Sequence, residues 1–420
     1  MHKLLQQARR FIVEEKLFVV ILLFLFSLPF YAGQIISTAP AQIFTHYINY
    51  LHIRISLHLI LSLVLCFFSL RDVSFKKFAI KIFYFFLLAS VVSLLPMHTV
   101  SVQYQLPFWL LIGTSVFHLA EFLLKATAFL FVIEYLLKIT DTWRKDLVVW
   151  CILLGSLIQS MFVLGQRIIG GPILPTWLSW AGQPPEFTSK AIIGIFEYSR
   201  AYGTTPHPNI LAAVAVFYLL TLLCLGVRKK IVLGISVLLL GIVLASFSKI
   251  GLLAFVTIGV IYQLRTSLAN LKVRASTILM LLSLANIAII IMTQIIYHYH
   301  IPVPYLESRA VIQQLYLELI GLHPLQLLTG TGFVMAIPNL LANTASLGTS
   351  LFWYSRILAE PPHNAFLLLI IEFGLPITGL FLWMIWGQVK SWAVSLLPWQ
   401  ILSILLLITA FGGLDHFLVY

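Results

Sequence analysis

The sequence predicts an all-α fold, a polytopic transmembrane bundle of about eleven spans, and three observations predict it. Apolar runs near the ~20 residues needed to cross ~30 Å of hydrocarbon recur along the whole chain. Hydrophobic residues fill 60% of the 420 positions and charged residues only 10%, more apolar surface than a water-soluble globule can bury. Lys and Arg fall in alternate connections between the runs, as expected of a chain that weaves through a bilayer.

The runs lie at roughly residues 17–36, 53–70, 78–97, 108–138, 147–166, 208–227, 231–247, 250–264, 276–296, 364–387 and 398–417. The first follows Lys3, Arg9, Arg10 and Lys16 in the manner of a signal peptide, but it lacks a small-residue cleavage site and reads as a retained span. The fourth is long and carries Glu121 and Lys125 four residues apart, which fits a tilted helix with an internal ion pair or a span plus an interfacial segment. Ile231 to Leu264 is too long for one crossing and has basic residues at both ends, so it must turn back, at Ser246 to Gly251. Arms of about 16 residues at ~1.5 Å each reach ~24 Å, which puts Lys249 at a tip just beneath the outer surface.

Orientation follows from the basic connections. Lys3 to Lys16, Arg71 with Lys76 and Lys77, Lys138 with Arg144 and Lys145, Arg228 to Lys230, Arg265 with Lys272 and Arg274, and Lys390 all read as cytoplasmic. The amino terminus is therefore inside. The connections at 37–52 and 98–107 face out, along with two long ones at 167–207 and 297–363. The second long connection contains Leu306, Ala310, Gln313, Leu317 and Ile320 at near-helical spacing, which predicts an amphipathic helix lying on the outer surface over a cavity. The chain, 1–420, reads as a single integral membrane domain.

The net charge of +12 is spread in ones and threes without a basic stripe, which argues against nucleic acid. Cys66, Cys151 and Cys224 lie in or beside apolar runs without metal spacing. No HExxH, P-loop, Gly-x-Ser-x-Gly or aspartate-rich metal motif occurs, so neither a metal nor another cofactor is expected.

The outer side gathers Arg200, His207, Lys249, Arg309 and His363, a cationic set suited to a lipid-linked diphosphate. Each has a plainer reading. Lys249 and Arg309 can snorkel to lipid phosphates, and His207, in Thr-Pro-His-Pro-Asn209, suits a proline-bounded helix start. His363 opens an apolar helix that Asn364 can cap, where the helix dipole favours a neutral imidazole able to act as a base; it can equally bind substrate. Glu372, nine residues on, is too far along to orient His363 and reads as a packing brace.

Four segments resemble the bacterial O-antigen ligase and O-antigen polymerase superfamily of membrane glycosyltransferases. They are Arg200 to Asn209; Ser246 to Gly251, with Lys249 where the family has arginine; Ser308-Arg309 through His323 to Gly330-Thr-Gly-Phe333; and His363-Asn364 with Glu372 and Gly374. A further match begins at Asp415-His416, and the chain stops soon after, leaving room for a twelfth span. The resemblance implies metal-independent, inverting transfer of a glycan from an undecaprenyl-diphosphate carrier to a glycan, lipid or protein acceptor at the outer face of the bacterial cytoplasmic membrane. It assigns catalysis to His363 and Arg309, diphosphate binding to Lys249, Arg309 and Arg200, and support to His207, Asn209 and Asn364. Ligase and polymerase share this donor. A transporter or flippase of lipid-linked glycans is the alternative.

Overall fold

The computed structural model describes residues 2–30, 33–37, 42–43, 46–47, 53–104, 107–170, 173, 190–193, 196–205, 207–268, 275–299, 306–343, 362, 364–393 and 397–408. These form fifteen helices and three short two-stranded ribbons. The first half runs α1 (His2–Ser27), β1 (Gly33–Ser37), β2 (Gln42–Ile43), β3 (His46–Tyr47), β4 (Ile53–Ser56), α2 (Leu57–Ser69), α3 (Val73–Tyr104), α4 (Phe108–Lys138) and α5 (Thr142–Ile169). Then come β5 (Lys190–Ile193), β6 (Phe196–Ser199), α6 (Pro208–Cys224), α7 (Lys229–Ala245), α8 (Lys249–Gln263) and α9 (Arg265–Leu268). The last part is α10 (Ala275–His298), α11 (Leu306–Leu322), α12 (Gln326–Thr329), α13 (Ala336–Ala342), α14 (Ala365–Ala393) and α15 (Pro398–Ile408).

Among the described residues, part or all of each of the eleven apolar runs lies on a helix, α1 to α8, α10, α14 or α15 in turn. Four segments, Phe75–His98, Phe108–Lys138, Thr142–Ile169 and Ala365–Gln388, are long and apolar enough to cross a bilayer, and several shorter apolar helices accompany them. The chain is a multi-pass helical membrane protein, and its surface agrees. On α5, Trp143, Leu147, Trp150, Leu154, Leu157, Met161, Leu164 and Ile168 are all exposed, in a stripe stepping four and three residues, while Ser156, Gln159 and Gln166 are buried. Water would drive the opposite arrangement; hydrocarbon is the solvent that permits this one.

Several boundaries differ from the sequence expectation, and two of them have a local cause. α1 ends at Ser27, nine residues early, because Ser27 donates back to Phe24 O and Pro29 follows; the chain then enters the β1–β4 ribbon. α2 starts at Leu57 because Ser56 caps it, Oγ accepting from Leu59 N at 3.2 Å.

The chain divides into two compact units. Unit 1 comprises residues Met1–Gln34, Ile55–Ala79 and Leu124–Arg265. At its centre is α6, apolar all round and buried from Leu211 to Leu223 on most of its circumference, with α7 and α8 packed beside it. Tyr218 on α6 donates its hydroxyl to Leu25 O of α1. Unit 2 comprises Ile35–Arg54, Ile80–Leu123 and Thr266–Tyr420. Its core is an aromatic cluster in which Phe333 stacks on Phe373 at 5.3 Å and meets Phe122 at 5.4 Å, with Phe85 and Phe381 alongside.

α11 occupies the predicted residues but buries a broader face than the predicted stripe. Ile312, Leu315, Tyr316 and Leu319 are buried together with Ala310 and Gln313. The helix packs along α10, where Gln313 Nε2 donates to Ile290 O at 3.2 Å.

Candidate functional site

In unit 1 the site is built on two glutamines of α5. Gln166 accepts from the backbone N–H groups of Tyr202 and Gly203 at 3.0 and 2.9 Å and donates to Gly203 O at 2.6 Å. Gln159, seven residues earlier on the same face, accepts from Thr204 N and donates to Thr204 Oγ1, which in turn donates to Pro29 O. Residues 201–205 are all buried without helical bonds of their own, so these carboxamides supply what secondary structure does not. Gly203 has φ +58 and faces Gln159 so closely that a Cβ there would overlap its Oε1.

This seated loop fixes Arg200 against the turn between α7 and α8. Its Nε donates to Ser246 O at 2.9 Å, its Nη2 donates to Asn209 Oδ1 at 2.7 Å, and Ala201 N reaches Ala245 O. Arg167, at the end of α5, donates to the same Ala245 carbonyl at 3.2 Å and lies over the Phe247 ring at 4.3 Å. The last carbonyls of a helix carry its negative dipole and lack intrahelical donors; two guanidinium groups and one peptide N–H satisfy them here. Phe247 is held at φ 49, an uncommon conformation for a bulky residue.

The turn then starts α8. Ser248 is its cap, accepting from Gly251 N at 3.1 Å, and Lys249 is the first helical residue, exposed beside the turn. Gly251 is required there because a Cβ would overlap that of Ala212 on α6. His207 caps α6 through Nδ1, which accepts from Asn209 N at 3.1 Å; that bond assigns the unprotonated nitrogen to the cap and leaves Nε2 to carry the proton of a neutral ring. Arg200 is bonded to both the turn and Asn209, whose backbone His207 caps, and Lys249 begins the helix that leaves the turn. Arg167, Gln159 and Gln166 were missed. The signal for the glutamines was the spacing of two carboxamides, seven residues apart in an apolar run, on the face opposite the apolar stripe.

Unit 2 holds Arg309, Asn364 and Glu372. Arg309 lies half-buried in the first turn of α11. Asn364 caps α14, its Oδ1 accepting from Leu367 N at 2.9 Å, as predicted. His363 lies outside the described residues. α14 breaks at Gly374, with φ 75 and ψ 165, and the released carbonyls of Ile371 and Glu372 accept from Thr331 N and Gly332 N at 2.7 and 3.0 Å. Gly330 and Gly374 face each other so closely that a Cβ on Gly330 would overlap Glu372 O, and one on Gly374 would press on Leu328 O. Glu372 is fully buried. Further along, His323 Nε2 meets Asn343 Oδ1 at 2.8 Å, and Asn343 continues to Asn339 and Gln326.

Among the described residues no group of His, Cys, Asp and Glu is arranged to hold a metal ion. No family model, curated protein or solved structure matches the chain.

Proposed function

We propose that the chain is a membrane glycosyltransferase that moves a glycan from an undecaprenyl-diphosphate carrier to an acceptor at the outer face of the bacterial cytoplasmic membrane. The observation that carries this reading is the turn at residues 245–249, where Arg167 and Arg200 converge on adjacent carbonyls and Lys249 stands exposed beside them. Cations held at a span end match the charge and depth of a lipid diphosphate. Transfer from such a carrier needs stabilisation of a departing diphosphate, which fixed cations provide electrostatically. In this reading Lys249 meets the diphosphate and Arg200 fixes the turn that presents it, while the resemblance gives Arg309 a diphosphate-binding role and His363 that of accepting the proton of the attacking hydroxyl. The distribution of Lys and Arg supports an inside amino terminus and an outward-facing turn.

The test is transfer by purified protein in nanodiscs from undecaprenyl-diphosphate oligosaccharide to a sugar or lipid acceptor, without metal. Wild type should transfer, and folded His363→Ala and Lys249→Gln variants should lose at least tenfold in rate. A second reading, transport of lipid-linked glycan, is favoured by the break in α14 beside buried Glu372, since interrupted spans with buried ionisable residues are common in carriers. Carrier movement across the bilayer without transfer would select it.

A further inference from the structure

We propose that His118 and Glu121, inside the apolar span of α4, form a proton-binding site in unit 2. They lie ten and thirteen residues after Phe108, about 15 and 20 Å along the helix at ~1.5 Å per residue. Ionisable side chains at such depth are costly and mark proton or ion sites. His118 Nδ1 is 3.5 Å from Glu121 Oε2, and the side chains are only 10% and 14% exposed. The other ring nitrogen, Nε2, is buried and has no hydrogen-bond partner among the described residues. A buried polar atom in that condition calls for an explanation, and packing alone gives none, since an apolar residue would fill the same space.

The neighbours fit. Thr114 and Ser115, one turn earlier on the same face, are each 1% exposed, so a polar stripe runs along this side of an otherwise apolar helix. Phe122 turns the face toward Phe333 and Phe381. The titratable groups on the elements packed there are Glu372 on α14, beside Phe373 in the same aromatic cluster, and His98 on α3, whose ring meets Phe108 at 5.8 Å. Lys125 follows one turn on along α4. A proton taken from water and held between Nδ1 and Oε2 makes the pair neutral overall, whereas its loss leaves a carboxylate anion in the span.

The experiment uses full-length protein in nanodiscs, labelled with 15N-histidine and followed by nitrogen NMR and pH-difference infrared spectroscopy; no glycan is needed, so the result stands apart from any transfer assay. One imidazole signal, absent from His118→Gln, should change with pH together with a carboxyl band absent from Glu121→Gln. In Glu121→Gln the His118 transition should move to lower pH, because the imidazolium has lost its anion. A His118 signal constant throughout the pH range of the folded protein, or a midpoint unmoved in Glu121→Gln, overturns the proposal. Should Glu121→Gln fail to fold, His118→Gln carries the test: the carboxyl band assigned to Glu121 should change its pH response there, and a band unaltered by loss of the imidazole overturns the proposal.

Discussion

Gln166 uses both ends of one carboxamide on two consecutive residues of the 201–205 loop. Replacing it by leucine removes the bonds it makes to two buried peptide N–H groups and a buried carbonyl, each worth about 1–3 kcal/mol where nothing takes its place. Gln166→Leu should therefore lower the unfolding temperature sharply or abolish monodisperse protein; an unfolding temperature in detergent equal to wild type would show that the loop is seated without these bonds. Arg200 poses a sharper contrast, because its two bonds leave at an angle only a planar fork supplies. Arg200→Lys should behave like Arg200→Ala, each losing about 1.5–3 kcal/mol for the charged bonds, and a lysine variant as stable as wild type would show that the fork is dispensable. Arg200, His207, Asn209 and Asn364 were legible because their side chains sit next to helix starts that Pro208 and the apolar runs announce. Arg167 was not, since nothing local distinguishes a guanidinium that snorkels from one that caps another helix.

The α7–α8 hairpin was legible as an element because charge at both ends forces an even number of crossings, and the observed helices of 17 and 15 residues keep the predicted arms. The break in α14 was not. Gly374 and Pro376 lie inside an apolar run, and membrane helices tolerate both; only the Gly330-Thr331-Gly332 turn, more than forty residues earlier, reveals that the peptide groups are paired elsewhere. A backbone at φ 75 and ψ 165 is open essentially to glycine alone. Gly374→Ala adds that strain to an overlap with the Leu328 carbonyl, so it should destabilise unit 2 by at least ~2 kcal/mol, measurable as protease sensitivity confined to residues 306–393. Full wild-type protection of that region would mean that the two turns can separate without consequence.

At the scale of the molecule, the alternation of apolar runs and basic connections carried the membrane assignment, and the buried polar and exposed apolar faces of α5 repeat it in three dimensions. Spin labels at Met161 and Leu157 should report lipid, with high oxygen and low aqueous-reagent accessibility, whereas a label at Val163 should be immobilised; aqueous exposure at Met161 would contradict the assignment. Helix lengths were legible to within a turn at most ends, since caps such as Ser56 and Ser248 are local, but the seating of residues 201–205 depends on partners 36 to 45 positions away. That separation bears on how the chain is made. Gln166 and Gly203 are 37 residues apart, so at ~5–20 residues per second α5 enters the bilayer about 2–7 s before the loop that matches its amides exists. During that interval the two carboxamides are without the partners that residues 202–204 supply. Biogenesis of this protein thus has a built-in waiting step, placed by the same two side chains that later hold Arg200 to its turn.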